Sequence, residues 1–179
     1  MPLPSSLPFL ARSRIVQIGI VVPDMKEALE TWSAARGLGP WIGYHFTPRT
    51  VRDFTYRGRP ADYSIDIAMT SSGPQVELIE VHGEHSLYHE WTEVHGYGIQ
   101  HLGIRVEEMA PVKAELLAAG YELIQSGHGY GAAGDGEFAY FDTLADFGTI
   151  FELIRVPDQR REPDFTWPGL PDQASSQIT

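Results

Sequence analysis

Two stretches decide the fold of this chain: Gln17-Ile-Gly-Ile-Val-Val-Pro-Asp-Met25 and His101-Leu-Gly-Ile-Arg-Val-Glu-Glu-Met109. Laid one above the other, they share glycine, isoleucine, valine and methionine, with an acidic residue just before each methionine. Gln17 falls over His101. Further along, Val76-Glu77-Leu78-Ile79-Glu80-Val81 falls over Phe151-Glu152-Leu153-Ile154-Arg155-Val156, which sets Glu77 over Glu152. Gln17 and Glu77 are 60 residues apart, and His101 and Glu152 are 51 apart, so the first copy carries the longer insertion. A repeat of this kind is the signature of one supersecondary unit used twice.

Both copies carry the same pattern of elements. Residues 15–22 and 98–106 are β-branched and apolar, as buried strands are. Each is followed by helical spacing, at Met25, Leu29 and Trp32 in the first copy and Met109, Val112 and Leu116 in the second. Gly37 and Gly120 stand where a left-handed residue closes a helix. Three more strands are expected in each copy: about 41–47, 51–57 or 63–69, and 75–81, then about 121–125, 137–142 and 149–156. The fold class is therefore α+β, two tandem βαβββ modules forming a cupped mixed sheet. The expected divisions are an arm at 1–13, one domain at 14–157 and a tail at 158–179. Within the domain, module one covers about 14–84, a linker about 85–96 and module two about 97–157. The linker holds a short helical stretch, Ser86 to Val94. Arm and tail, rich in Pro, Ser and Gln, read as surface or disordered segments.

Composition narrows the function. At 179 residues, 42% hydrophobic and 21% charged, the chain builds its own core. Without cysteine it has no disulfides, and any metal must be held by nitrogen and oxygen. A net charge of −11 and a pI near 4.9 disfavour nucleic acid and anionic membranes as partners. No signal peptide or membrane span is evident, so a soluble cytoplasmic protein is expected.

Side chains alternate along a strand, so modules packed with pseudo-two-fold symmetry aim Gln17, Glu77, His101 and Glu152 at one concave face. Glu77 sits between Val76 and Leu78, and Glu152 between Phe151 and Leu153. A carboxylate in such a place is costly unless paired or bound to a cation. Taken singly, each residue has a bland explanation as a wet-face or core residue. The repeat argues for the four together as a metal site.

With these residues in view, the chain, over about residues 14–157, resembles the vicinal-oxygen-chelate superfamily. That group includes glyoxalase I, methylmalonyl-CoA epimerase, extradiol dioxygenases and the bleomycin and fosfomycin resistance proteins. The resemblance implies paired βαβββ modules cupped around one divalent ion, with ligands at the positions of Gln17, Glu77, His101 and Glu152. The set looks like that of eukaryotic glyoxalase I, while Gly-Ile-Gln-His-Leu-Gly-Ile-Arg-Val looks like the epimerase branch. One imidazole, one amide and two carboxylates suit Zn, Ni, Co, Mn or Mg. An extradiol dioxygenase wants two histidines and a carboxylate, and Gln17 occupies the place of the first histidine.

The implied activity is a metal-dependent lyase or isomerase acting on a small carbonyl compound, including a thiol or CoA conjugate, through an enediolate or enolate. Glu152 or Glu77 serves as the base. The alternative is a ligand-sequestering protein of the bleomycin-resistance type. A homodimer is common in the superfamily. Outside the four, His128 and Tyr130 in the glycine-dense run Gly127–Gly136 are candidate substrate contacts if that run forms a lid; a plain hairpin connection is the simpler expectation. Arg49, Arg52, Arg57 and Arg59 are expected to form a charged hairpin face rather than a substrate grip. His82, His85 and His89 lack zincin spacing and are expected in a polar connection.

Overall fold

The structure is a computed structural model that describes residues 7–71 and 73–168. Module one consists of β1 (Arg14–Val21), α1 (Met25–Arg36), β2 (Trp41–Phe46), β5 (Ser64–Thr70) and β6 (Gln75–His82), with β3 (Arg52–Tyr56) and β4 (Arg59–Pro60) inserted. Helix α2 (Leu87–His95) leads to module two, which comprises β7 (Gly98–Arg105), α3 (Met109–Ala118), β8 (Leu123–Tyr130), β9 (Gly136–Phe141), a short α4 (Leu144–Phe147) and β10 (Ile150–Arg155). A final strand, β11, spans Phe165–Trp167. The expected α+β cup of two βαβββ modules is what forms.

Among the described residues, eleven strands form one curled mixed sheet, in the order β11-β2-β5-β6-β1-β7-β10-β9-β8-β3-β4. Within each module the first and last strands run parallel, β1 with β6 and β7 with β10. The modules join through the antiparallel pair β1–β7 at the centre of the sheet. Buried residues of the central strands therefore face the concave cup or the helices on the convex side. Leu78 of β6 packs with Met25 and Leu29 under α1, and Leu153 of β10 with Val112 and Leu116 under α3. Their neighbours in sequence, Glu77 and Glu152, consequently turn into the cup.

Helix α1 begins where Asp24 accepts a hydrogen bond of 2.7 Å from the Glu27 amide, and it ends at Gly37 in the left-handed region. Helix α2 starts in the same manner, with Ser86 accepting from the His89 amide at 3.0 Å. At the amino terminus, the Glu115 carboxylate accepts from the amides of Phe9 and Leu10, at 3.0 and 2.9 Å. That pairing ties residues 9–10 to α3.

Three features depart from expectation. Both alternatives for the middle of module one are strands, because β5 is the module's own while β3 leaves it and pairs antiparallel with β8 of module two. The extra length of the first copy is this excursion. The second departure is in the glycine-dense run, whose first part, Gly127–Tyr130, is the end of β8; the turn is shorter than its composition suggests. Third, the tail up to Trp167 is not a loose surface segment. It crosses beside the cup and adds β11 antiparallel to the β2 edge, with Phe165 opposite Gly43. The tail beyond Pro168 and the arm before Leu7 lie outside the described residues.

Leu78 and Leu153 are both fully buried beside a cup-facing glutamate. Leu78→Ala and Leu153→Ala are each expected to cost about 2–5 kcal/mol, read from urea denaturation midpoints. A cost below about 1 kcal/mol at either site would contradict the helix-backed packing described here.

Candidate metal centre

The strand register builds two polar rows across the floor of the cup. In one, Glu77 of β6 neighbours Gly19 of β1, which neighbours His101 of β7. In the other, Gln17 of β1 neighbours Gly103 of β7, which neighbours Glu152 of β10. A glycine thus separates the two polar residues in each row. A Cβ on Gly19 would stand 1.9 Å from the His101 ring, and one on Gly103 would stand 2.6 Å from Gln17 Oε1. Only hydrogen in place of a side chain lets these groups lie flat across the central strand pair. The repeated glycine two residues after Gln17 and after His101 is therefore a spacing requirement of the site.

His101 is completely buried. Its Nε2 lies 3.2 Å from Glu152 Oε2 and 3.6 Å from Glu77 Oε2. One ligand atom each from Glu77, His101 and Glu152 falls within a 4.8 Å cluster, compact enough to hold a metal ion. Among the described residues, His101 Nε2, Glu152 Oε2 and Gln17 Oε1 are buried with no hydrogen-bond partner of acceptable geometry. Such orphans are expensive unless a ligand satisfies them. The amide of Gln17 is already oriented, because its Nε2 donates to Gln75 Oε1 at 3.0 Å and leaves Oε1 free.

A residue overlooked in the sequence completes the histidine's setting. Gln100 Oε1 accepts from His101 Nδ1 at 2.7 Å, which leaves Nε2 for the cluster. Adjacent strand residues normally face opposite sides, but a β-bulge intervenes here. Gly19 pairs with His101 while Ile20 pairs with Ile99, so Gln100 is the surplus residue. The mate of this bulge is Val16 on β1, where Ile15 pairs with Ile104 and Gln17 with Gly103. The pseudo-symmetry thus extends to the irregularities, and the two copies differ there in chemistry: Val16 lines the cup, whereas Gln100 backs the imidazole.

Burial would depress the His101 imidazole, yet Glu152 and then Glu77 more than reverse this and raise it to about 9. The Glu77 carboxyl is pushed up from its ordinary range, chiefly by burial, with His101 opposing. Above the floor, the cup encloses about 850 Å³ measured out to its open mouth. Its walls are aromatic and include Tyr44, Phe46, Tyr88, Tyr130, Phe138 and Tyr140. The Tyr88 hydroxyl donates to that of Tyr140 at 2.9 Å, and the Tyr140 ring meets His101 edge-on at 5.1 Å. Burial holds both phenols well above their usual range, so they remain protonated.

The other candidates fall elsewhere. Tyr130 lines the cup, but its hydroxyl contacts the carbonyls of Glu137 and Arg155 at 3.2 Å. His128 is absent from the cup lining and pairs instead with Asp53 at 2.7 Å, because it lies on a strand and not on a lid. Arg57 is engaged by Glu90 and Glu122, at 2.7 and 2.9 Å. His82, His85 and His89 each sit near a carboxylate of their own, Asp66, Asp62 and Glu93.

Residues 16–141 match the family model described as the Glyoxalase/Bleomycin resistance protein/Dioxygenase superfamily. The chain belongs to this superfamily. Members of the superfamily commonly bind a divalent metal. No curated protein matches the chain. Among solved structures, a hypothetical protein from Bacillus halodurans superimposes with a TM-score of 0.61 at 21% identity, covering 84% of this chain and 99% of its own. Methylmalonyl-CoA epimerase from Mycobacterium tuberculosis gives 0.53 at 19% identity, over 79% and 87%. A Streptomyces coelicolor methylmalonyl-CoA epimerase variant in complex with 2-nitronate-propionyl-CoA gives 0.57 at 18%, over 83% and 98%. At these identities the likeness is one of fold. No helix among the described residues is long and apolar enough to cross a membrane.

Gly19→Ala forces the His101 ring off the strand pair. The expected result is a loss of about 1–3 kcal/mol in denaturant unfolding together with displaced His101 imidazole resonances. Unchanged resonances and unchanged stability would show that the ring does not need the glycine.

Proposed function

We propose that this chain is a divalent-metal-dependent isomerase, epimerase or lyase acting on a small carbonyl compound. The observation that carries it is the Glu77–His101–Glu152 cluster, buried at the floor of an aromatic cup with unsatisfied polar atoms converging on one point. His101 Nε2, the two carboxylates and Gln17 Oε1 are the groups that would hold the ion. A bound divalent ion supplies Lewis acidity, which lowers the energy of an enolate or enediolate.

The protein's own side chains account for the remaining chemistry. Gln100 fixes the His101 ring so that one nitrogen always faces the cluster. The aromatic walls exclude water and strengthen electrostatic interactions at the floor. Glu77 and Glu152 enter from different modules, and each can take a proton from the carbon beside the carbonyl or return one. Gln17 cannot take this part, because an amide does not accept protons near neutral pH.

The first test is calorimetric titration with Zn, Ni, Co, Mn and Mg. Wild type is expected to bind at least one of them at a single site. His101→Ala should abolish that binding, and Gln100→Leu should weaken it by about 10–100-fold. A wild-type chain that binds none of these ions overturns the metal-dependent reading and favours a ligand-sequestering cup.

The second test follows deuterium entry from heavy water at the carbon beside the thioester carbonyl of methylmalonyl-CoA, the ligand named for neighbours of this fold. With any substrate the loaded protein turns over, Glu77→Gln and Glu152→Gln are expected to slow exchange by about 10²–10⁴-fold. Full rates in both variants would remove the carboxylates from the proton-transfer step.

A further inference from the structure

The segment from Pro157 to Asp164 lies past the residues matched by the family model and forms a strap along one side of the cup mouth. It is fastened at both ends. On one rim, Ala132 N donates to Gln159 O at 2.9 Å and Asp158 N to Asp135 Oδ2 at 3.0 Å, tying it to the β8–β9 turn. On the other, Asp164 N donates to Gly43 O and His45 N to Asp164 Oδ2, at 2.9 and 2.7 Å, tying it to β2. Two arginines at its middle border the cavity, Arg160 and Arg161.

Arg161 is already occupied. Its fork engages Asp164 at 2.7 and 2.5 Å, and its guanidinium lies 4.9 Å over the Tyr44 ring. Arg160 differs. Among the described residues it has no carboxylate partner, and its Nη1 is directed at Met69 Sδ, 3.9 Å away on the cup wall. Met69 Sδ in turn lies 3.7 Å from Gln17 Nε2. Two contacts therefore separate a free guanidinium from the polar floor.

We propose that Arg160 is the anion receptor of this cup, and that the substrate is a small carbonyl compound bearing a carboxylate beyond its metal-facing oxygens. The inference rests on the metal-dependent function proposed above and adds the substrate class to it. Arg160 is exposed at the border of the cavity, without a carboxylate partner among the described residues, so it leaves one positive group in surplus there once a divalent ion balances Glu77 and Glu152 at the floor. A carboxylate meets that surplus, and a guanidinium fork binds it through paired hydrogen bonds. The aromatic walls provide no other cationic group to take this part, since Arg161 is bound to Asp164. Because the strap is fastened on both rims, the Arg160 backbone is held beside the cup before ligand arrives, which lowers the ordering cost of binding.

The probes are two hydroxamates that chelate a metal through the same pair of vicinal oxygens: acetohydroxamate, and malonohydroxamate with an added carboxylate. Binding to the metal-loaded full chain is measured by calorimetry. Wild type is expected to prefer malonohydroxamate by about tenfold or more. Arg160→Gln should abolish that preference while leaving acetohydroxamate and metal affinity unchanged, and Arg160→Lys should retain part of it. Equal affinities in wild type, or a preference that survives Arg160→Gln, overturn the assignment while leaving the metal-dependent reading intact. Equal weakening of both probes in Arg160→Gln also overturns it, because that marks a general packing role. A wild-type chain that binds no divalent ion overturns both readings together.

Discussion

The antiparallel pairing of β1 with β7 is the constraint from which the rest of the site follows. It sets Gln17 opposite Gly103 and His101 opposite Gly19, so each long polar side chain lies across a residue that has none. A one-residue slip of β1 would turn Gln17 to the convex face and bury it against helix α1, away from the other three polar groups. The helices resist such a slip through Ile20 of β1 and Ile104 of β7, which need the opposite face as firmly as Gln17 and His101 need the cup. Register, packing and polar convergence are thus three aspects of a single alignment. The stability of the apolar layers holds in place a floor that would be unfavourable by itself.

Much of this was legible because it depends on local periodicity written twice. The coincidence of Gln17 with His101 and of Glu77 with Glu152 reports strand position directly, and alternation then assigns the face. Gln100 was not legible, since whether it faces the cup or away depends on a bulge that arises only when β7 meets β1. The destination of β3 was hidden for the same reason: nothing in Arg52–Tyr56 says that its partner is β8, about seventy residues away. His128 was misread from composition. Glycines around it suggested a loop, but the backbone continues as strand and gives it Asp53 as a neighbour.

The strap was invisible in another way. Pro157–Trp167 has neither helical nor strand periodicity worth the name, and it becomes ordered through contacts supplied by the cup rims. Phe165 pairs opposite Gly43, which lets its ring lie over the β2 edge. Segments of this type acquire structure from what they cover. The division of labour between the two arginines, one engaged by Asp164 and one without a carboxylate partner among the described residues, likewise emerges only from the assembled molecule.

The excursion of β3–β4 also bears on how the chain folds. Module one reaches across to pair with the far edge of module two, Thr55 with Ser126 and Tyr56 with Gln125. The first half of the molecule, emerging first from the ribosome, therefore carries a hairpin whose partner strand has not yet been made. The sheet can be completed only after β8 is available. Long-range pairing of this kind slows folding, since distant segments must meet before either is rewarded. The duplicated architecture is thus symmetric in its final form but sequential in its assembly.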